Sequence, residues 1–169
     1  MKKTIALLLA LALTLSCSIS LAEGLQTAEI TVDPIEGATM LFEDLGITLT
    51  IPEVLVQTEL PEGLAETSVF DCFALADGSA YMMLGADQMT NENAVNDLVA
   101  ALQADSAYSE LGLLSINGIG WLTYAKEADN MLMFTTNVND ILLTVYSSPY
   151  NDEGFRSVML QILGSVALI

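Results

Sequence analysis

Residues 113–147 read LLSINGIGWLTYAKEADNMLMFTTNVNDILLTVYS, which is four apolar segments separated by short polar breaks. The first break is Asn117-Gly118, a pair favoured in two-residue type I′ hairpin turns because both positions need positive φ. Glu127–Asn130 and Asn139-Asp140 form the other two breaks. Links this short join antiparallel neighbours, since parallel strands need crossovers of a dozen or more residues. The stretch therefore predicts an antiparallel meander of four strands, at 113–116, 119–126, 131–138 and 141–147.

The last two strands of this meander are apolar on both faces. Met131 and Leu132 alternate in one strand, and Ile141 and Leu142 do so in the next. A strand that is buried on both sides lies in the interior of a sheet that is covered above and below. We therefore expect further layers on both faces of the meander.

Upstream of the meander, three more strands and a helix are indicated. Ile47–Ile51 alternates apolar and polar residues and ends at Pro52, which is typical of a half-buried strand. Residues 53–66 hold two helix breakers and four Glu, and predict a loop. Strands at 68–75 and 80–86 flank Asp77-Gly78, a strong hairpin signal. A helical stripe follows, with Thr90 or Asn91 as its cap; its apolar members are Ala94, Val95, Leu98, Val99 and Leu102.

A second helix closes the domain after Pro149. Asn151 or Asp152 can cap it, Gly164 ends it, and an apolar stripe runs between them; the members of the stripe are Phe155, Val158, Met159, Ile162 and Leu163. The order of strand pairs, helix, four strands and helix predicts an α+β domain over residues 39–169. In that domain, helices pack on a meandering antiparallel sheet.

Two segments of this domain resemble the Mog1/PsbP-like superfamily. Phe42–Glu53, which reads FEDLGITLTIPE, is similar to the short strand, turn, strand and proline at the start of that fold. The closing helix that runs into Ile162–Val166 is similar to its usual end. The resemblance covers about residues 39–169 and implies an α/β/α sandwich in a binding or accessory factor. It carries over no functional residue, because no chemical motif matches.

The chain begins with the features of a secretory signal peptide. Lys2 and Lys3 precede an apolar run over 5–15, and Ser20-Leu21-Ala22 supplies small residues before a cleavage point. We therefore expect residues 1–22 to be removed, residues 23–38 to form an acidic linker, and the protein to act outside the cytoplasm. An alternative is cleavage before Cys17 and lipid anchoring through it, although Thr14 stands where lipoprotein signals usually carry Leu.

Charge narrows the range of partners. All 22 Asp and Glu follow Ala22, but only Lys126 and Arg156 remain as bases there, so the formal charge of residues 23–169 is −20. A field of that sign repels phosphate backbones and anionic lipid head groups. We therefore expect neither nucleic acid nor an anionic membrane surface as a partner, and we expect a monomer.

The residue types present also exclude much catalytic chemistry. The chain has no His, which removes the commonest general base and metal ligand. Cys72 is the single Cys after residue 22, so no internal disulfide, thiolate zinc site or redox pair can form there. Alternation along its strand places Cys72 on one face with Phe70 and Ala74, and we expect a buried free thiol. No motif indicates a cofactor.

Carboxylate pairs are the remaining catalytic machinery, and they occur at Glu43/Asp44, Glu127/Asp129 and Asp152/Glu153. Predicted turns and helix starts explain all three pairs without catalysis. Oxygen ligands favour calcium among metals. The candidate calcium ligands are Asn117, Asn137, Asn139 and Asp140, which the meander brings to one end of the sheet. Turn chemistry explains these residues as well.

Aromatic and methionine side chains offer a binding surface. The aromatic candidates are Trp121, Tyr124, Tyr146 and Tyr150, and the methionines in strands are Met82, Met83, Met131 and Met133. Core packing explains most of them, whereas an exposed groove of Met and aromatic residues would mark a partner site. We predict a secreted, acidic, non-catalytic module that binds a protein or small ligand. The alternatives are a carboxylate hydrolase of extracellular glycans and a structural cell-envelope subunit.

Overall fold

The computed structural model describes residues 25–61, 68–89, 91 and 93–169. The predicted signal peptide and Cys17 lie outside these residues. Two short 3₁₀ turns, Glu43–Leu45 and Glu127–Asp129, accompany the regular elements. The strands and helices are β1 Gln26–Ile30, β2 Ala38–Phe42, β3 Ile47–Ile51, β4 Leu55–Thr58, β5 Val69–Leu75, β6 Tyr81–Gln88, α1 Ala94–Ala104, β7 Ser109–Ile116, β8 Ile119–Lys126, β9 Met131–Val138, β10 Ile141–Ser148, α2 Glu153–Gly164 and β11 Ala167–Leu168.

The predicted meander forms the middle of the larger sheet. This sheet has eight strands in the order β1-β7-β8-β9-β10-β6-β5-β4. Asn117 and Gly118 have φ of 48° and 86°, and Asn139 and Asp140 have φ of 50° and 64°. Both two-residue links therefore adopt the doubly positive φ of a type I′ turn. Strand β7 begins at Ser109, four residues before the predicted start, and the other meander strands agree with the prediction to within one residue.

The first strand corrects the prediction of a loose acidic linker over 23–38. Gln26–Ile30 forms β1, which pairs in parallel with Gly112–Ile116 of β7 at one edge of the sheet. Asn117 accepts a hydrogen bond from the Val32 amide at 3.0 Å just beyond this strand. The sheet is therefore mixed rather than wholly antiparallel. The loop predicted at 53–66 also contains a strand, because Leu55–Thr58 pairs with β5 at the opposite edge.

A smaller sheet of three strands, in the order β11-β3-β2, joins segments from both ends of the domain. The predicted alternation in β3 is confirmed: Ile47, Leu49 and Ile51 are buried, and the two threonines between them are half-buried. Strand β11, in the apolar tail that follows α2, pairs with the first two residues of β3. The smaller sheet therefore presents one apolar face to the core.

Both faces of the larger sheet are covered, as the apolar character of β9 and β10 predicts. On one face, β3 and the buried stripe of α2 enclose the main core with Trp121, Phe134 and Val145. On the other face, Val99 and Leu102 of α1 pack on the meander. The predicted α/β/α sandwich and α+β class are therefore confirmed. In the described residues, no helix is long and apolar enough to span a membrane.

The helix caps agree in part with the prediction. Asp152 caps α2, and its Oδ1 accepts a hydrogen bond from the Phe155 amide at 2.9 Å. Helix α1 begins after Asn93, whose amide donates to Oδ1 of Asn91 at 2.7 Å. Asn91 therefore organises the turn before α1 rather than capping the helix directly, and Thr90 lies outside the described residues.

Cys72 is a buried free thiol, as predicted, but its neighbours differ from the predicted set. It packs with Val69 and Met83, while Phe70 is exposed on the surface. The pairing of β5 with β6 shifts between Val69 and Asp71, and a bulge of this kind changes the face on which earlier residues lie. The exposed ring of Phe70 contacts Phe42 edge-on instead, with 6.0 Å between ring centroids.

Candidate functional site

A row of side chains crosses the larger sheet on the face that carries α1. Met133 of β9 pairs with Tyr124 of β8 and with Tyr146 of β10. Tyr146 in turn lies opposite Met83 of β6, and Met83 lies opposite Cys72 of β5. Directly opposed residues of antiparallel strands have Cβ atoms about 5 Å apart on one face. The register therefore assembles a row of two tyrosine and three sulfur side chains on one face of the sheet.

Helix α1 covers the part of this row that lies over Tyr124 and Met133. Beside the helix, the sheet forms the floor of an open groove of about 550 Å³. Three tyrosines, three methionines, two other apolar side chains and a few polar groups line it: Pro61, Ser68, Val69, Tyr81, Met83, Tyr108, Lys126, Asp129, Met131, Met133 and Tyr146. Its volume lies within the range of small-molecule sites, about 300–1,000 Å³.

Tyr146 lies between Met133 and Met83 on the groove floor and is half-buried. Its hydroxyl has no hydrogen-bond partner among the described residues. Burial raises the pKa of Tyr146 to about 12, and the neighbouring Tyr124 and Asp87 add to the rise. The hydroxyl therefore stays protonated at neutral pH and can donate a hydrogen bond to a bound molecule.

A chain of buried polar side chains lies beneath α1, next to the groove. The hydroxyl of Tyr124 lies 3.1 Å from Oγ1 of Thr135, which lies 2.9 Å from Oγ1 of Thr144. Burial is the main cause of the raised pKa of Tyr124. The ring of Tyr124 also meets Tyr108 edge-on, with 5.8 Å between centroids. Tyr108 is thus positioned by a tyrosine that is itself held by hydrogen bonds.

An ion pair forms the polar rim. Nζ of Lys126 lies 2.5 Å from Oδ2 of Asp129, across the 3₁₀ turn between β8 and β9. The hydrogen bond and the charge of Asp129 raise the pKa of Lys126. Asn130 ends this turn with a φ of 54°, a left-handed conformation that Asn tolerates better than most residues. The turn therefore holds both charges beside Met131.

The carboxylate pairs named in the sequence occupy three separate structural positions. Glu43 and Asp44 lie in the first 3₁₀ turn, and Asp152 is committed to the cap of α2. Glu127 accepts a hydrogen bond from Ser109 at 3.0 Å, beside the Lys126–Asp129 pair. Local structure thus explains each pair, and Asp129 is the one member that lines the groove.

Three of the calcium candidates lie in two turns at one end of the sheet, and Asn137 lies in β9 beside the second turn, but the separation of the two turns is unfavourable. The turns are two strand spacings apart, which is about 10 Å, whereas calcium holds its oxygens at about 2.3–2.6 Å. Asn139 donates to the carbonyl of Leu45 at 3.0 Å, while Asn137 and Asp140 are exposed. The described residues contain no cluster of three acidic or Cys side chains that could hold a metal. The cation site stays a prediction.

Asn117 has a structural role that the turn prediction does not include. Its Oδ1 accepts from the Val32 amide, and its Nδ2 donates to the carbonyls of Val32 at 3.3 Å and Gly164 at 3.0 Å. A Cβ atom on Gly164 would overlap with the Val32 side chain and come within 2.9 Å of Asn117 Nδ2. The glycine therefore permits the close approach of α2, β7 and the segment after β1.

The aromatic candidates divide between core and groove. Trp121 is fully buried in the main core, and Tyr124 is buried on the opposite face, as their odd spacing along β8 predicts. Tyr150 packs against the main core and does not line the groove. The groove includes Tyr146 and three of the four strand methionines. Its members Tyr81 and Tyr108 were not predicted, since they enter through non-local pairing and through the link after α1.

Comparisons with known proteins give a fold and no sequence family. No family model and no curated protein matches the chain. The solution structure of cyanobacterial PsbP (CyanoP) from Synechocystis sp. PCC 6803 matches with a TM-score of 0.52 and 13% identity, over 78% of this chain and 92% of that one. The crystal structure of a protein from Bacteroides thetaiotaomicron VPI-5482 matches with a TM-score of 0.49 and 10% identity, over 80% of this chain and 49% of that one. The protein has a PsbP-like α+β fold.

Proposed function

We propose that the protein is a non-catalytic binding or accessory module that holds a small ligand in the groove beside α1. The observation that supports this is the groove itself, an open concavity of about 550 Å³ with an apolar floor and a polar rim. Ligand sites combine predominantly apolar walls with a few polar groups that fix orientation. Tyr146, Lys126 and Asp129 supply such groups here.

We propose that the protein binds this ligand outside the cytoplasm and that its acidic character suits it to that location. The basic start, short apolar run and Ser20-Leu21-Ala22 support export, and the charge of −20 after Ala22 supports solubility in that setting. A binding role needs no general base or activated nucleophile. The absence of His from the sequence and the local roles of the acidic pairs therefore fit binding better than hydrolysis.

The methionines provide a direct test, because they report separately on the two faces of the larger sheet. Met83, Met131 and Met133 line the groove, whereas Met82 and Met159 are fully buried on the opposite face. Protein with ¹³C-labelled methionine methyl groups would be titrated with a panel of small fragments. We expect some fragments to shift only the three groove methyl signals, in a saturable manner.

The opposite result would be a panel in which no fragment shifts the groove methyls, or in which all methyls shift together. Either outcome would contradict a ligand site in the groove. A panel of glycan and peptide substrates tests the rival hydrolase. Turnover that disappears in one Asp or Glu substitution with an intact fold would overturn the non-catalytic proposal.

A further inference from the structure

The surroundings of the groove indicate the charge of its ligand. Resting on the proposed function, we infer that the groove selects a small organic cation, an ammonium ion with apolar substituents, over a neutral molecule of the same shape. Three tyrosine rings line a groove whose neighbouring side chains are mostly anionic, and this juxtaposition carries the inference.

The rings come from three different elements. Tyr81 lies in β6, Tyr146 in β10, and Tyr108 in the link between α1 and β7. A cation over the face of an aromatic ring is attracted by the quadrupole of the ring, and aromatic cages hold quaternary ammonium groups in this way. The edge contact with Tyr124 orders Tyr108 in the absence of ligand, so less ordering has to accompany binding.

Negative charge predominates around these rings. Lys126 is the single basic residue of the groove lining, and Asp129 already neutralises it. Asp105 also acts on Lys126, and Asp87 acts on Tyr146 at the groove floor. Glu127 adds a further carboxylate beside the rim. A cation that enters the groove therefore meets a net attractive field, which the overall charge of the chain reinforces.

The methionines complete the fit for an ammonium ion with apolar substituents. Met131 is half-buried, Met83 and Met133 lie almost fully buried in the groove floor, and all three carry flexible, polarizable thioethers that adapt to irregular shapes. Alkyl groups on the nitrogen spread the charge and make it easier to remove from water than a bare ammonium. The methionines of the floor offer apolar contacts to those alkyl groups, and the three tyrosines and Asp129 line the same groove.

The test compares choline with 3,3-dimethylbutan-1-ol, in which carbon replaces the charged nitrogen and the shape is unchanged. Titrations would follow the methyl signals of the full mature chain. We expect choline to bind about tenfold more tightly than the alcohol, and its affinity alone to fall with added sodium chloride. Phosphocholine should bind more weakly than choline, because its phosphate enters the same negative field.

Substitutions identify the groups responsible. Tyr146→Leu should remove most of the preference for choline, Tyr146→Phe should keep it, and Tyr150→Leu, outside the groove, is the matched control. Asp129→Asn should lower the affinity for choline and leave the affinity for the alcohol unchanged. Methyl spectra with unchanged core signals establish that each variant is folded.

The outcomes separate the two proposals. Equal or tighter binding of the alcohol would overturn selection for a cation and leave the groove as a ligand site. Phosphocholine that binds as well as choline would overturn the role assigned to the negative field. If choline is inert while other, neutral fragments shift the groove methyls, only the cation inference falls. If no compound shifts them, the proposed function falls as well.

Discussion

Replacement of Asn117 should show that this residue is a structural clamp rather than a calcium ligand. Its amide makes three hydrogen bonds, two to Val32 and one to Gly164, and each is worth about 1 kcal/mol. The side chain is exposed, so we expect Asn117→Gly to lower the free energy of unfolding by about 2 kcal/mol in total. Asn117→Ala should cost about 1 kcal/mol more, because Ala resists the positive φ at this position.

Urea denaturation, followed by the fluorescence of the buried Trp121, measures both losses in buffer that contains a calcium chelator. Asn137→Ala is a matched control, because that exposed side chain has no hydrogen-bond partner in the described part of the chain. A loss below about 0.5 kcal/mol for Asn117→Gly, the scatter of neutral surface changes, would refute the clamp. A loss that appears only with calcium present would identify a ligand instead.

Four further predictions follow from burial, charge and processing. Cys72 is buried, so a thiol reagent should label native protein slowly and unfolded protein fast; rapid native labelling would refute this. Sodium chloride should raise the melting temperature by screening the charge of −20, and a large additional rise with calcium at equal ionic strength would reveal a cation site. Burial raises the pKa of Tyr146 from 10.0 to about 12, so the stabilisation that comes from this shift is complete below pH 10 and is lost as the pH rises towards 12. The difference in tyrosinate absorbance between wild type and Tyr146→Phe measures the pKa of Tyr146. A Tyr146 that titrates near pH 10 would contradict the prediction. N-terminal sequencing of exported protein should begin at Glu23, whereas a lipid-blocked Cys17 would show anchoring.

The local signals of the meander explain why that part of the fold could be predicted. The turn at Asn117-Gly118 and the apolar segments on either side lie within a few residues of each other, and strand pairing follows from them. Strand β1 could not be predicted in this way, because four of its five residues are exposed and its partner β7 is distant in the chain. Strand β4 is short and largely exposed at the other edge, and it gives an equally weak signal.

The residue types of the candidate site could be predicted from the sequence, but the strand pairing that brings them together could not. Tyr146 and the strand methionines are visible in the sequence as possible surface groups. They come together in one groove because β6 pairs with β10, and these two strands are separated in sequence by α1, β7, β8 and β9. The second roles of Asn117 and Asn139 were also invisible, because each bonds to a backbone group far away in sequence.

The parallel pairing of β1 with β7 has a consequence for the order of folding. Residue 26 pairs with residue 112, and at the other end of the domain residue 168 pairs with residue 47. Closing such long loops costs conformational entropy before the contacts between their ends form, so topologies rich in contacts between residues distant in sequence fold slowly. The hairpins from β7 to β10 close short loops and can form early, whereas the first and last strands can dock only on a sheet that already exists. Strand β1 is therefore synthesised about 80 residues before its partner β7, remains unpaired until β7 has formed its hairpin, and completes the edge of the sheet last.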